Sequence, residues 1–165
     1  MRWEELGEQN CSIARSLAVF GDRWTLLILR DSFIGIKRFD DFMDDLNLSR
    51  TILTDRLNKL VEQGVLKKIP YQTRPTRYDY KLTEKGLALH PIIMAIVEWG
   101  DQYYAEPGKA PILRNHKKCG KDFKSVSTCS ECGEEVAPRD VTLRRNPANA
   151  DESKDGQLNM TKIQA

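Results

Sequence analysis

No apolar run in this chain is long enough to cross a membrane. The longest, Trp24 to Leu29 and Pro91 to Val97, stop far short of the roughly 18 residues a span requires. The opening stretch, Met1 to Gln9, is polar and acidic, the wrong chemistry for a secretory leader, so a cytoplasmic location is expected. Cysteine is scarce. Four residues are too few for a disulfide scaffold, and three of them, Cys119, Cys129 and Cys132, crowd together. In a cytosolic chain such clustering points to metal or redox chemistry before structural bridges. Histidine is scarcer still, with only His90 and His116. His90 is isolated, and no Ser or Cys stands in a recognisable His/Asp framework, so catalysis is not expected. Net charge is also missing: 26 Lys+Arg against 24 Asp+Glu leave +2, which excludes a polycation that binds acids by bulk composition.

What is present is a local asymmetry. Residues 1–48 carry 6 basic and 9 acidic side chains, whereas residues 49–85 carry 9 basic and 4 acidic. The positive excess therefore sits in one central stretch and asks for a polyanion partner there. A solvated Lys/Arg surface is the bland alternative, and charge alone does not separate the two.

The length of 165 residues suits one domain, or one small domain with an appendage. After a short N-terminal arm, residues 1–9, helical spacing begins. Ile13, Leu17 and Phe20 mark a first helix, broken at Gly21-Asp22. Asp22 can cap a second helix, about Arg23 to Phe33, that is apolar on most sides and therefore central to the core, with Gly35 as its stop. Phe39, Phe42, Met43 and Leu46 define a third helix. Ser49 offers the cap of a fourth, running to about Gln63, with Leu53, Leu57, Leu60 and Val61 as its apolar stripe and Gly64 as its end.

The period then changes. Val65 to Ile69 and Arg77 to Leu82 read as strands of a hairpin, with a loop from Gln72 to Pro75 and a basic tip. Thr83 can cap a last long helix that Pro91 kinks or restarts. Its apolar face, through Ile92, Ile96, Trp99, Tyr103 and Tyr104, is larger than a small core can absorb. Pro107, Gly108 and Pro111 mark a linker over 106–112, followed by a Cys/His-rich segment over 113–143. Residues 144–165 are polar and expected to be disordered.

Helix, turn, helix and basic hairpin is the order of a winged helix-turn-helix, mainly α with a small β-hairpin. The major groove of duplex DNA admits one helix whose outer face can reach base edges. On the fourth helix, opposite the Leu53–Leu57 stripe, lie Thr51, Asp55, Asn58 and Lys59, with Arg50 and Thr54 flanking them. Arg and Asn can read guanine and adenine by paired hydrogen bonds, and Thr can meet a thymine methyl. Ser49 and the helix N-terminus suit a phosphate. Arg74 and Arg77 on the hairpin suit the backbone or a minor groove, and Lys37 and Arg38 suit phosphate. Asp55 and Lys59, at i, i+4, also suit a plain surface ion pair. Tyr78 and Tyr80 read as hairpin packing rather than as base-stacking groups.

Particular residues go further. Cys11-Ser12-Ile13-Ala14, Gly21 through Asp31, Lys37-Arg38-Phe39, Leu53-Thr54-Asp55-Arg56-Leu57, Arg77-Tyr78-Asp79-Tyr80 and Leu82-Thr83-Glu84-Lys85-Gly86 resemble the HxlR-type family of bacterial transcription regulators over about residues 10–103. Asn47-Leu48-Ser49 departs from it, since many members carry Gly before the turn. The resemblance implies a homodimeric winged-helix protein on a two-fold-related double-stranded DNA operator. It also implies a dimer interface built from the first and last helices, which agrees with the surplus apolar face. Some members sense electrophiles or oxidants through a cysteine near the first helix, and Cys11 matches that region; Cys is also common there as a small buried residue.

In the appendage, His116-x-x-Cys119-Gly120 and Cys129-x-x-Cys132-Gly133 form a quasi-repeat. Two such spacings can place four ligands on one Zn²⁺ in a structural, zinc-ribbon-like site, with a small hairpin between the pairs through Phe123 and Val126. A reversible Cys129–Cys132 thiol pair and a tail of unused cysteines are the alternatives. The expectation is a sequence-specific, DNA-binding transcription regulator. A redox- or metal-responsive switch, or one answering a small-molecule effector, is the second reading. A small zinc or thiol enzyme is the distant one.

Overall fold

A computed structural model describes residues 3–144 together with 146 and 147, which divide into two compact units, one ending at Leu113 and one beginning at Arg114. Nearly all of the tail expected to be disordered lies outside the described residues.

The first unit begins with a 3-10 helix, Trp3–Glu8, packed on helix α1, Ser12–Phe20. Helix α2, Arg23–Ile34, starts where Asp22 accepts from the backbone N–H groups of Trp24 and Thr25. That carboxylate satisfies two of the donors a helix N-terminus leaves open. The helix ends at Gly35, whose φ of 103° is cheap only without a Cβ. Helix α3 is Phe39–Leu46 and α4 is Arg50–Glu62. Between them Asn47 takes the left-handed conformation, φ 47°. Asn is the side-chain-bearing residue best suited to it, which is how the turn forms without the glycine common at this point.

Strands β1, Leu66–Thr73, and β2, Thr76–Leu82, pair antiparallel with Leu66 opposite Leu82 and Thr73 opposite Thr76. The hairpin is longer than its alternating segments suggested. Gln72 and Thr73, expected in the loop, pair with Arg77 and Thr76, and a register shift between Pro70 and Gln72 absorbs Tyr71. Only Arg74 and Pro75 remain at the tip. Polar strand ends give no hydrophobic alternation to read, although the backbone ladder continues through them.

Thr83 caps a single turn, α5, Glu84–Leu87, through the N–H of Gly86. The chain then restarts as α6, His90–Tyr104, with Pro91 in its first turn, where a missing N–H costs nothing. The expected long helix is thus two helices. The core draws on five elements: Ile28 and Leu29 of α2, Phe42 of α3, Leu53, Leu57 and Leu60 of α4, Leu66 and Tyr80 of the hairpin, and Ile93 of α6. Each such side chain contributes roughly 1.5–3 kcal/mol on burial. The stripe on α4 is thereby anchored, and its opposite face is fixed toward solvent.

The second unit is built from two short turns. Strands β3, Asn115–His116, and β4, Lys121–Asp122, flank the first, and a single bridge between Thr128 and Glu135 closes the second. A 3-10 turn, Pro138–Asp140, follows.

Candidate nucleic-acid interface

Helices α3 and α4, joined by Asn47-Leu48-Ser49, form the helix-turn-helix, and the β1–β2 hairpin forms the wing. The Ser49 hydroxyl accepts from the N–H of Ile52 at 3.4 Å and so caps α4. Leu53, Leu57 and Leu60 are fully buried, while Arg50, Thr51, Thr54, Asp55 and Asn58 are exposed and Lys59 is half-buried. The α4 residues expected to face DNA therefore lie on the side of the helix away from the core.

That face is braced from both sides. The Arg56 guanidinium reaches Asp22, the cap of α2, at 3.0 Å, and Asp55 at 2.6 Å. Asp55 thus pairs with its neighbour Arg56, not with Lys59, correcting the i, i+4 ion pair. Lys68 on β1 donates to the Asn58 Oδ1 at 2.8 Å and ties the reading helix to the wing. The contact leaves the Asn58 amide hydrogens uncommitted by that bond, so the side chain keeps its donor half for a base edge. The same Lys68 ammonium lies over the Tyr78 and Tyr80 rings. Tyr80 is buried and packs in the core, whereas Tyr78, also expected as hairpin packing, is exposed.

Lys37 and Arg38 enter the wing as a partial third strand. Arg38 bridges to Asp79, and the N–H of Tyr80 donates to the carbonyl of Lys37 at 2.7 Å. The buried Asp79 carboxylate holds both cations, with Lys37 at 3.4 Å and Arg38 at 3.8 Å. The Arg38 guanidinium also lies over the exposed Tyr71 ring. Both cations stay about half exposed and accessible to phosphate, but part of their charge is already balanced. Arg77 is similarly paired with Asp40 at 3.3 Å. Arg50, over the Phe39 ring, and Arg74, at the tip, have no acidic partner among the described residues. An open groove of about 330 Å³ runs between the start of α4 and the wing, lined by Arg50, Tyr71, Arg77 and Tyr78 among others. Asp40 and Tyr71 belong to this surface and escaped the sequence reading. Their partners are far away along the chain, and no periodicity reports a cross-chain pair.

Elsewhere, Cys11 is exposed at the N-terminus of α1, which corrects the reading of it as a small buried residue. In the second unit His116 Nδ1 lies 3.3 Å from the Cys119 sulfur. The Cys129 thiol is lowered from its ordinary value, first by the backbone N–H of Cys132, then by that of Glu131. The two pairs are not gathered: among the described residues no three of His, Cys, Asp and Glu form a group able to hold a metal. Nor does a hairpin run between the pairs through Phe123 and Val126. Each pair instead sits inside its own hairpin. No helix among the described residues is long and apolar enough to cross a membrane.

A free polar helix face beside a basic β-hairpin defines a winged helix-turn-helix DNA-binding protein. Residues 19–107 match the model of the HxlR-like helix-turn-helix family, and the chain belongs to that family. It is 40% identical over 136 residues to an uncharacterized HTH-type transcriptional regulator, Rv3095, of Mycobacterium tuberculosis, covering 82% of this chain and 86% of that one. The crystal structure of PA1607, a candidate transcription factor, superposes with a TM-score of 0.76 at 34% identity, covering 85% of this chain and 98% of that one. A second candidate transcription factor, PA1374 of Pseudomonas aeruginosa, gives 0.61 at 38% identity, covering 86% and 97%. The protein is a DNA-binding transcriptional regulator of the helix-turn-helix type.

Proposed function

We propose that the protein acts as a homodimer on a two-fold-related operator, reading sequence through α4 and drawing affinity from Lys/Arg–phosphate contacts of the wing. The observation that carries this reading is the exposure of Thr51, Thr54, Asp55 and Asn58 on one side of α4, opposite three fully buried leucines. Arg50 is the candidate for a paired base contact, and Asn58 offers its amide N–H group to a base acceptor. Ser49, Lys37, Arg38, Lys59, Arg74 and Arg77 are the candidates for the backbone. The dimer rests on a stripe of α6, Ile92, Ile96, Trp99 and Tyr103, all exposed, together with Ile13 and Leu17 of α1. The Trp99 ring meets those of Tyr103 and Tyr104 at a tilt, with centroids 5.5 and 5.3 Å apart. So much exposed apolar surface is unusual on a monomer and fits a symmetric partner.

The family's transcription regulators are not an enzyme class, and the protein is read as a binding protein acting in the cytoplasm. A response to oxidant through Cys11 is a second reading, favoured by the exposure of that thiol. Adding diamide to the wild type and to Cys11→Ser tests it: a loss of DNA affinity confined to the wild type supports sensing, and equal behaviour removes it. The main reading is tested by mobility shift on the gene's own upstream region over a salt series. Arg74→Ala should weaken binding to all sequences alike and reduce the salt slope by about 1. Arg50→Ala should cost about 1–3 kcal/mol on the operator only. Binding that ignores salt and both substitutions would end this reading.

A further inference from the structure

The second unit contains the same backbone device twice, at a constant offset of 13 residues. In the first copy Asn115 pairs with Asp122, the N–H of Phe123 donates to the carbonyl of Arg114 at 2.9 Å, and the N–H of Gly120 donates to the carbonyl of His116 at 2.8 Å. In the second, Thr128 pairs with Glu135, the N–H of Val136 donates to the carbonyl of Ser127 at 2.8 Å, and the N–H of Gly133 donates to the carbonyl of Cys129 at 2.9 Å. Each copy turns at a left-handed glycine, Gly120 at φ 68° and Gly133 at φ 76°. Each sets two metal-ligating side chains three residues apart on the turn.

A redox thiol pair needs only the second copy. The duplication asks for a ligand that uses both. The first turn already has the dimensions of half a zinc site. Zn–S near 2.3 Å and Zn–N near 2.0–2.1 Å at a tetrahedral angle put the two donors about 3.5 Å apart. His116 Nδ1 and the Cys119 sulfur stand 3.3 Å apart. The Phe123 ring meets the His116 ring edge-on at 6.0 Å and steadies it.

We propose that His116, Cys119, Cys129 and Cys132 together bind one thiophilic divalent cation of the Zn²⁺ type. The ion would draw the two turns to a common centre in a closed, four-ligand structural site. His116 binds as neutral imidazole, and the three thiols release their protons to solvent as the metal–sulfur bonds form; no electron is transferred. A segment with so few buried side chains gains its order from the ion. The proposal stands apart from the DNA reading and survives its failure.

The test loads the full-length chain, purified under reducing conditions, with Zn²⁺ and with Co²⁺. Stoichiometry is read by elemental analysis and geometry by the visible bands of cobalt. The expected result is one ion per chain with tetrahedral thiolate–cobalt bands. Both Cys119→Ser and Cys132→Ser should weaken binding by more than about tenfold, with the circular dichroism of the helical unit unchanged. In the wild type, Zn²⁺ should slow hydrogen exchange at Gly120 and Gly133 together. Binding that survives Cys119→Ser and His116→Ala would assign the metal to Cys129 and Cys132 alone and overturn the proposal. So would a chain that retains no metal, or one whose Cys129 and Cys132 pass to a disulfide without displacing any.

Discussion

Replacing Trp99 with alanine should split the proposed homodimer. Trp99 is 57% exposed on α6 and sits within the stripe of Ile92, Ile96 and Tyr103. A tryptophan has about 200 Å² to bury, so roughly 115 Å² remains for a partner to cover. At about 25 cal/mol per Å² this is about 3 kcal/mol for each copy. A two-fold interface uses the residue twice, which sets a ceiling near 6 kcal/mol. Association recovers only part of such area because side chains are ordered and polar neighbours desolvated. Half the ceiling, about 3 kcal/mol, still raises the dimer dissociation constant more than about a hundredfold. Sedimentation velocity over a range of concentrations measures this directly. Tyr71→Ala serves as the control, because Tyr71 is comparably apolar and exposed but lies on the wing. A wild-type chain that sediments as a monomer throughout, or a Trp99→Ala chain that sediments as the wild type does, would refute the assignment of this face.

Other outcomes follow from single contacts. Asp22→Ala removes the cap of α2 and the anchor of Arg56 together, and should cost about 1–2 kcal/mol in urea unfolding, with Asp22→Asn nearer wild type. Gly86→Ala should destabilise by at least about 1–3 kcal/mol, because a Cβ there would come within 2.3 Å of the Val65 carbonyl oxygen. The buried Asp31 carboxyl is raised above its ordinary value, first by burial, with Arg30 partly opposing. Its ionisation therefore works against folding, an effect absent below the unfolded-state value of about 3.9 and growing as pH rises from there toward the folded-state value. The stability of Asp31→Asn relative to wild type should rise as pH rises above about 4; a difference that does not change with pH would contradict this.

Local chemistry was legible in the sequence wherever one residue settles one conformation. Asp22 and Ser49 cap the helices expected of them, Thr83 caps a turn that ends before the long helix begins, Gly35 and Gly64 take positive φ, and the Leu53, Leu57, Leu60 stripe is buried. The face of α4 followed from that stripe, since burying one side of a helix exposes the other. What escaped depends on pairs distant in sequence. Asp79 holding Lys37 and Arg38, Asp40 holding Arg77, and Lys68 holding Asn58 leave no periodic trace. The wing ran further than its alternation because ladder hydrogen bonds do not require apolar side chains. The spacing of the Cys/His pairs was visible, but not that each pair has its own hairpin. Two-residue strands are too short to carry a period.

The central claim is that the outer face of α4 reads bases. The most direct measurement is selection of preferred sites from random duplexes by the full-length wild type and by Asn58→Ala, with footprints of the wild-type winners. Two major-groove half-sites, one or more helical turns apart, should emerge for the wild type. Asn58→Ala should relax the preference at one base position in each half-site and keep its salt-dependent affinity. Identical preferences for the two proteins, or a wild type that selects no sequence at all, would contradict the account.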